Sequence, residues 1–153
     1  MAEIVSAAVM NTHVRDNFRF LKGIDGRIDL ESAFALTADL TPAQITLNQN
    51  DYSPTDLATN AILRLNTDAS RNITGLAGGA DGRIVLIVNV GANNIVLTDE
   101  DAGSVAANRF AFSGNITLNA DTGLVLVYDS TSSRWRALSV PAGGGTPALV
   151  FST

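Results

Sequence analysis

Apolar side chains recur at alternating spacings of three and four residues only near the start of the chain, across residues 7–21. This spacing places them on one stripe of a helix, at the a and d positions of a coiled coil. The pattern predicts a short N-terminal α-helix. A helix of about 15 residues is marginal alone in water, so its stripe needs a partner surface. The stripe consists of Ala7, Met10, Val14, Asn17 and Leu21.

Two partner surfaces fit this stripe. The helix can pack on the β domain of its own chain through Val14, Phe18 and Leu21, or it can associate with helices of other copies. Asn17 is polar, and a polar residue at such a position lowers stability but fixes register and strand number when helices associate. For the second alternative, the predicted oligomer or docking interface is Met10, Val14, Asn17 and Leu21.

Beyond residue 24 the helical period is lost, and short apolar runs alternate with polar turns at roughly ten-residue spacing. This spacing is typical of a sandwich, jelly roll or small barrel. We therefore predict a mainly β fold, with a β-sandwich or jelly-roll-like domain over residues 25–140. It lies between the helical segment, 1–24, and a Gly- and Pro-rich flexible tail, 141–153, that ends in an apolar strand. The predicted strands are 40–47, 61–66, 72–74, 83–89, 95–97, 109–112, 115–118, 121–129 and 135–138.

Residues 81–89 and 121–129 share a pattern in which Asp and Gly precede a mainly apolar run that ends in Asn or Asp. A polar turn and a further predicted strand follow each run. The same β-hairpin is therefore predicted twice, unless the likeness is a coincidence between β-rich segments. The runs are apolar throughout instead of alternating. That is typical of strands covered on both faces, inside a sandwich or against a neighbouring subunit.

Composition narrows the class of protein. The length of 153 residues favours one domain with a short appendage. Charged residues make up 16% of the chain, below the ~25% of a typical domain. That fits a protein that covers part of its surface with copies of itself, or a sandwich rich in Thr, Asn and Ser. The net charge is -5 with scattered basic residues, so we expect no nucleic-acid partner and no membrane insertion. The absence of cysteine excludes disulfides and Cys-based zinc sites.

The candidate chemistry is sparse. His13 is the only histidine and lies on the predicted helix, so we expect no catalytic residues and no small-hydrolase constellation. The glycine-rich residues 78–83 lead into a strand and lack the phosphate-loop ending, which predicts a turn. Residues 99–101 are three consecutive carboxylates; we expect a solvated loop there, with an ion site as the alternative. We predict no cofactor.

Three aromatic residues could stack on sugar rings: Tyr52, Tyr128 and Trp135. Trp135 stands between Arg134 and Arg136 on a predicted strand. Since side chains alternate along a strand, we expect the indole to face the core with both arginines outside.

Four segments resemble tailed-bacteriophage virion surface proteins of the tail-fibre-like or capsid-decoration type: residues 10–21, 40–54, 69–76 and 128–136. The resemblance implies a non-enzymatic virion component, commonly trimeric, such as a short tail fibre, fibre adaptor or capsid decoration protein. The implied partners are other copies and other virion proteins, and the implied location is the virion after synthesis in the host cytoplasm. The alternative is a carbohydrate- or receptor-binding β-sandwich module, with a host-surface glycan as partner.

Overall fold

The computed structural model describes residues 39–138, and this part of the chain is mainly β. The predicted helix, its interface residues Met10, Val14, Asn17 and Leu21, and the predicted tail lie outside the described residues. Among residues 39–138, no helix has the length and apolar character needed to cross a membrane.

The described residues form eight short strands and two 3₁₀ turns, Leu57–Thr59 and Ala106–Asn108. The five-stranded sheet has the order β1-β2-β4-β7-β8, and the three-stranded sheet has the order β3-β5-β6. The strands are β1 (Asp39–Leu40), β2 (Ile62–Leu65), β3 (Arg71–Ile73), β4 (Ile84–Asn89), β5 (Ile95–Leu97), β6 (Ile116–Leu118), β7 (Gly123–Asp129) and β8 (Arg134–Ala137).

Successive passes of the chain pair in parallel at a nearly constant separation. Strands β1, β2 and β4 are parallel neighbours, as are β3 and β5, and partner residues lie 22 to 24 positions apart. From β2 to β5 each successive strand lies in the other sheet, so this part of the chain winds around a shared core. Strand β6 then runs antiparallel to β5 in the three-stranded sheet, and β7 runs antiparallel to β4 in the five-stranded sheet.

Most predicted strands are confirmed to within one or two residues, and two are not. The strand predicted over 40–47 is reduced to Asp39–Leu40 and a single bridge at Ile45. Pro42 lies between them and has no N–H to donate to a ladder. The strand predicted over 109–112 consists only of isolated bridges at Arg109 and Phe110.

The prediction of two equivalent hairpins is wrong for the first of them. Strands β7 and β8 form the predicted hairpin, whereas β5 leaves β4 and joins the other sheet. The two similar segments are instead direct antiparallel neighbours, with Ile84 opposite Val127 and Val88 opposite Gly123. The chain does not form a hairpin after β4, because the buried side chain of Asn89 holds the backbone in a turn that leads to the other sheet. Its side-chain amide donates to the backbone oxygens of Asn93, Leu118 and Asn119.

Inward-facing side chains from both sheets fill one buried cluster. Trp135 is completely buried within it, and its Nε1 donates to the backbone oxygen of Leu76 at 2.7 Å. The ring of Tyr128 meets the indole edge-on at 5.2 Å between centroids. Arg134 is half-buried and Arg136 is exposed, so the predicted orientation of this strand is confirmed.

Candidate docking surface

The centre of the outward face of the five-stranded sheet is apolar. One row of aliphatic side chains crosses it, because Ile62 is the partner of Leu86 and Leu86 is the partner of Val125. Leu138 extends the row, since its N–H donates to the backbone oxygen of Val125 at 3.0 Å. We call this surface the aliphatic face; it consists of Ile62, Ile84, Leu86, Val88, Val125, Val127 and Leu138.

The aliphatic face follows from the continuous apolar runs of β4 and β7. Side chains alternate between the two sides of a strand. In β4, Val85 and Ile87 therefore enter the core, while Leu86 and Val88 point outward and are only half-buried. A run without polar positions supplies apolar residues to both sides at once. Apolar residues on both faces of these strands agree with the sequence prediction; what covers the outer side stays a prediction.

On the outward face of the three-stranded sheet, polar and apolar side chains are mixed. Its register places Asn72 beside Val96 and Val96 beside Thr117, so one aliphatic side chain stands between two polar ones. Within residues 39–138, an extended apolar outer surface is thus a property of the five-stranded sheet and not of both sheets.

The aliphatic face has raised and hollow parts. Leu138 is 60% exposed and Ile84 is 47% exposed, so both project from it. An open depression of about 170 Å³ lies among residues of β4 and β7 where Gly123 supplies no side chain. A Cβ atom at Gly123 would lie 2.9 Å from the backbone oxygen of Ile87, so the close approach of the strands favours glycine.

Each rim of the aliphatic face carries an ion pair, and Arg134 on the β8 rim pairs separately with Glu100. Asp39 Oδ2 lies 3.4 Å from Arg64 Nε across β1 and β2. On the opposite rim, Asp129 Oδ2 lies 2.8 Å from Arg136 Nε. An apolar centre with a polar, charge-balanced rim is the usual composition of a protein–protein interface.

The Asp129 carboxylate also ties the β7–β8 hairpin together. The Ser132 hydroxyl and then the Arg136 guanidinium, both donating to this carboxylate, lower the pKa of Asp129 from 3.8 to about 2. A depressed folded-state pKa means that the contribution to stability is complete above the ordinary pKa and is lost as the pH falls through about 2.

We therefore expect the hairpin to weaken between about pH 4 and pH 2 in the wild type. In Asp129→Asn this part of the acid response should be absent, because no carboxylate remains to be protonated. Thermal unfolding followed by circular dichroism across this pH range measures the difference. Identical acid profiles for the two proteins would contradict the assignment.

The carboxylates at residues 99–101 face three different partners. Asp99 Oδ1 accepts from the Phe112 N–H at 2.7 Å, Asp101 Oδ1 accepts from the Gly103 N–H at 2.7 Å, and Glu100 pairs with Arg134 at 2.8 Å. Across residues 39–138 no group of three or more His, Cys, Asp or Glu side chains is placed to hold a metal ion. These contacts give the acidic cluster a role in building the loop.

The aromatic residues considered for sugar stacking lie inside the described part of the fold. Tyr52 and Tyr128 are each 8% exposed, and Trp135 is fully buried. Burial raises the pKa of the Tyr52 phenol above its ordinary value of 10.0. A flat aromatic platform for a glycan is therefore not formed by these three side chains.

The aliphatic face was not among the interface residues predicted from sequence. Those residues, Met10, Val14, Asn17 and Leu21, lie outside the described part of the chain. The available signal was the absence of alternation in residues 84–88 and 124–127, which indicated two covered faces without assigning the cover. No protein-family model, curated protein or solved structure matches this chain.

Proposed function

We propose that this protein is a non-enzymatic structural component of a tailed-bacteriophage virion, assembled as a homotrimer and placed as a short tail fibre, fibre adaptor or capsid decoration protein. The observation that carries the proposal is the aliphatic face. Contiguous apolar surface on the outside of a fold is unfavourable in water and marks a site of association. Such a protein functions by burying this surface between subunits and against other virion proteins.

Three of the four segments that resemble virion proteins lie in the described β body, and the fourth, residues 10–21, lies outside the described residues. Residues 40–54 form the first pass around the core, residues 69–76 include β3, and residues 128–136 span most of the β7–β8 hairpin. None of the residues of the aliphatic face lies in these segments; the resemblance concerns strands and loops that supply core residues such as Ile45, Ile73 and Trp135. This supports the same class of function for the described residues.

For the body we propose a β-sandwich, since the inward residues of two sheets share one core. The parallel pairs β1–β2, β2–β4 and β3–β5 favour this description over a jelly roll, which is built from antiparallel Greek keys. The alternative of a glycan-binding module receives less support, because the aromatic side chains suited to stacking are buried.

The proposal is tested on purified particles of the parent phage. We expect mass spectrometry to find the protein in stoichiometric amounts, and electron cryomicroscopy to place its density as threefold features on the tail or capsid. Particles that contain none of this protein would overturn the proposal. Turnover of any component of a host lysate by the purified chain would also overturn the non-enzymatic assignment.

The predicted helical stripe provides a second test. At ~25 cal/mol per Å² of apolar area, each large side chain buried there contributes about 1.5–3 kcal/mol before entropy costs. Val14→Asp should therefore dissociate the oligomer or prevent docking on the particle while sparing the β fold. Size-exclusion chromatography with light scattering measures the mass. Thr12→Asp is the matched control, because residue 12 lies off the stripe. An unchanged mass and unchanged incorporation of Val14→Asp would remove the helix from the proposal.

A further inference from the structure

We propose that the aliphatic face is covered by further copies of this same chain, packed face against face and not joined edge to edge. The inference rests on the proposed function in requiring an oligomer, and it specifies which surface holds that oligomer together. Its support comes from the shape of the face, the charges at its rims and the character of the sheet edges.

The shape of the face is self-complementary. Leu138 and Ile84 project outward, and the depression beside Gly123 is open and lined by aliphatic side chains. A projecting leucine or isoleucine from a neighbouring copy is the kind of side chain that such a depression takes. Interface energy concentrates where a large side chain fills a well-packed pocket.

The charges also suit a second copy. The chain as a whole carries a net charge of -5, which opposes association of copies. The aliphatic face contributes none of this excess, because Asp39 is balanced by Arg64 and Asp129 by Arg136. Packing two such faces together therefore brings no excess of either charge into contact.

The edges of the sheet disfavour strand addition. Edge strands that carry charged residues or proline are protected against pairing with another chain. At the β1 edge, Asp39 is followed by Pro42. The β8 edge carries Arg134 and Arg136, and Trp135 on it already exchanges backbone hydrogen bonds with Arg109 and Ala111. Pro42 and Pro54 also line the open groove of about 510 Å³ beside the first pass of the chain. Face packing therefore remains the route by which this sheet can bury its apolar surface.

The size of the face sets the expected strength of association. Strands ~4.8 Å apart and same-side residues ~6.8 Å apart give about 33 Å² per position, so the seven positions of the face cover about 230 Å². A stable interface buries about 800 Å² per partner, so the face supplies less than about a third of that. We expect association through it to depend on protein concentration and to be reinforced by the helical stripe.

The first experiment compares two exposed leucines in the full-length chain. Leu138 is 60% exposed and belongs to the aliphatic face, whereas Leu47 is 69% exposed and lies outside it. Leu138→Asp should lower the mass measured by light scattering toward that of the monomer, and Leu47→Asp should leave it unchanged. Because both side chains are exposed, melting temperatures of the two variants should agree within a few degrees. Equal masses for wild type and Leu138→Asp would overturn the inference.

The second experiment identifies the cover directly and needs only a mild substitution. The chain has no cysteine, so Leu86→Cys and Val96→Cys each place a single thiol at a half-buried, outward-facing position of a central strand. Maleimide should label Leu86→Cys at least tenfold more slowly at high protein concentration than after dilution. Labelling of Val96→Cys should not depend on concentration. Protection of Leu86→Cys that persists on dilution would show a cover from the same chain and overturn the inference.

These outcomes separate the two proposals. A protein that is present in virions and oligomeric, yet insensitive to Leu138→Asp, would retain the proposed function and refute the aliphatic face as its interface. A protein that associates through this face but is absent from virions would retain the aliphatic face as the interface and refute the proposed function.

Discussion

Replacing Trp135 by alanine is expected to remove about 3–5 kcal/mol from the free energy of unfolding, the range for large buried aromatic residues. The indole is fully buried, packs against Tyr128, and donates Nε1–H to the backbone oxygen of Leu76 across the core. Its loss leaves both a cavity and an unpaired buried carbonyl. For a domain near 100 residues this corresponds to a fall in melting temperature of about 15 °C or more.

Trp135→Phe separates the two contributions. The phenyl ring retains most of the packing but has no N–H, so we expect a loss of about 1–2 kcal/mol from the unpaired Leu76 oxygen and the smaller ring. Trp135 is the only tryptophan, so unfolding of all variants should be followed by circular dichroism and not by indole fluorescence. The exposed neighbour provides the control, since Arg136→Ala should cost far less. Equal melting temperatures for Trp135→Ala and Arg136→Ala would contradict the central place of the indole.

The local features of the fold were predictable because they depend on short stretches of sequence. The β7–β8 hairpin is specified by an apolar run, a polar turn of serines and threonines, and a strand with Trp135 between two arginines. The same alternation places the indole inside and the arginines outside. Strands β2, β4 and β6 follow from compact runs of β-branched and leucine residues between turn signals.

The pairing of strands was not predictable from such patterns. Parallel partners are joined by long connections, so no turn sequence specifies which strands meet. Positions separated by 24 residues carry similar side chains in this chain, with Leu63 beside Ile87 and Ile73 beside Leu97. The stronger likeness between residues 81–89 and 121–129 suggested a repeated hairpin instead. These two segments are alike because both are central strands with one face in the core and one on the aliphatic face.

The aliphatic face could be anticipated only in part. Uninterrupted apolar runs indicate that both sides of a strand avoid water, but they do not say which strands lie side by side. The register of β2, β4 and β7 is what gathers Ile62, Leu86 and Val125 into one continuous row. Below this surface, the turn at the end of β4 directs β5 into the other sheet, and that turn depends on the side chain of Asn89.

Asn89→Ala is expected to lower the free energy of unfolding by about 2–4 kcal/mol, because several buried hydrogen bonds are lost together. The Asn89 amide nitrogen donates to the backbone oxygens of Asn93 at 2.8 Å, Leu118 at 3.0 Å and Asn119 at 3.1 Å, and its Oδ1 accepts from the Gly91 N–H at 3.0 Å. Asn89→Asp keeps the shape but presents a buried carboxylate to the same oxygens, so it should be at least as destabilising. Asn94→Ala, at an exposed position of the same turn, should change stability by less than about 0.5 kcal/mol. Urea unfolding of the three variants measures these differences, and a wild-type midpoint for Asn89→Ala would show that the turn after β4 forms without this side chain.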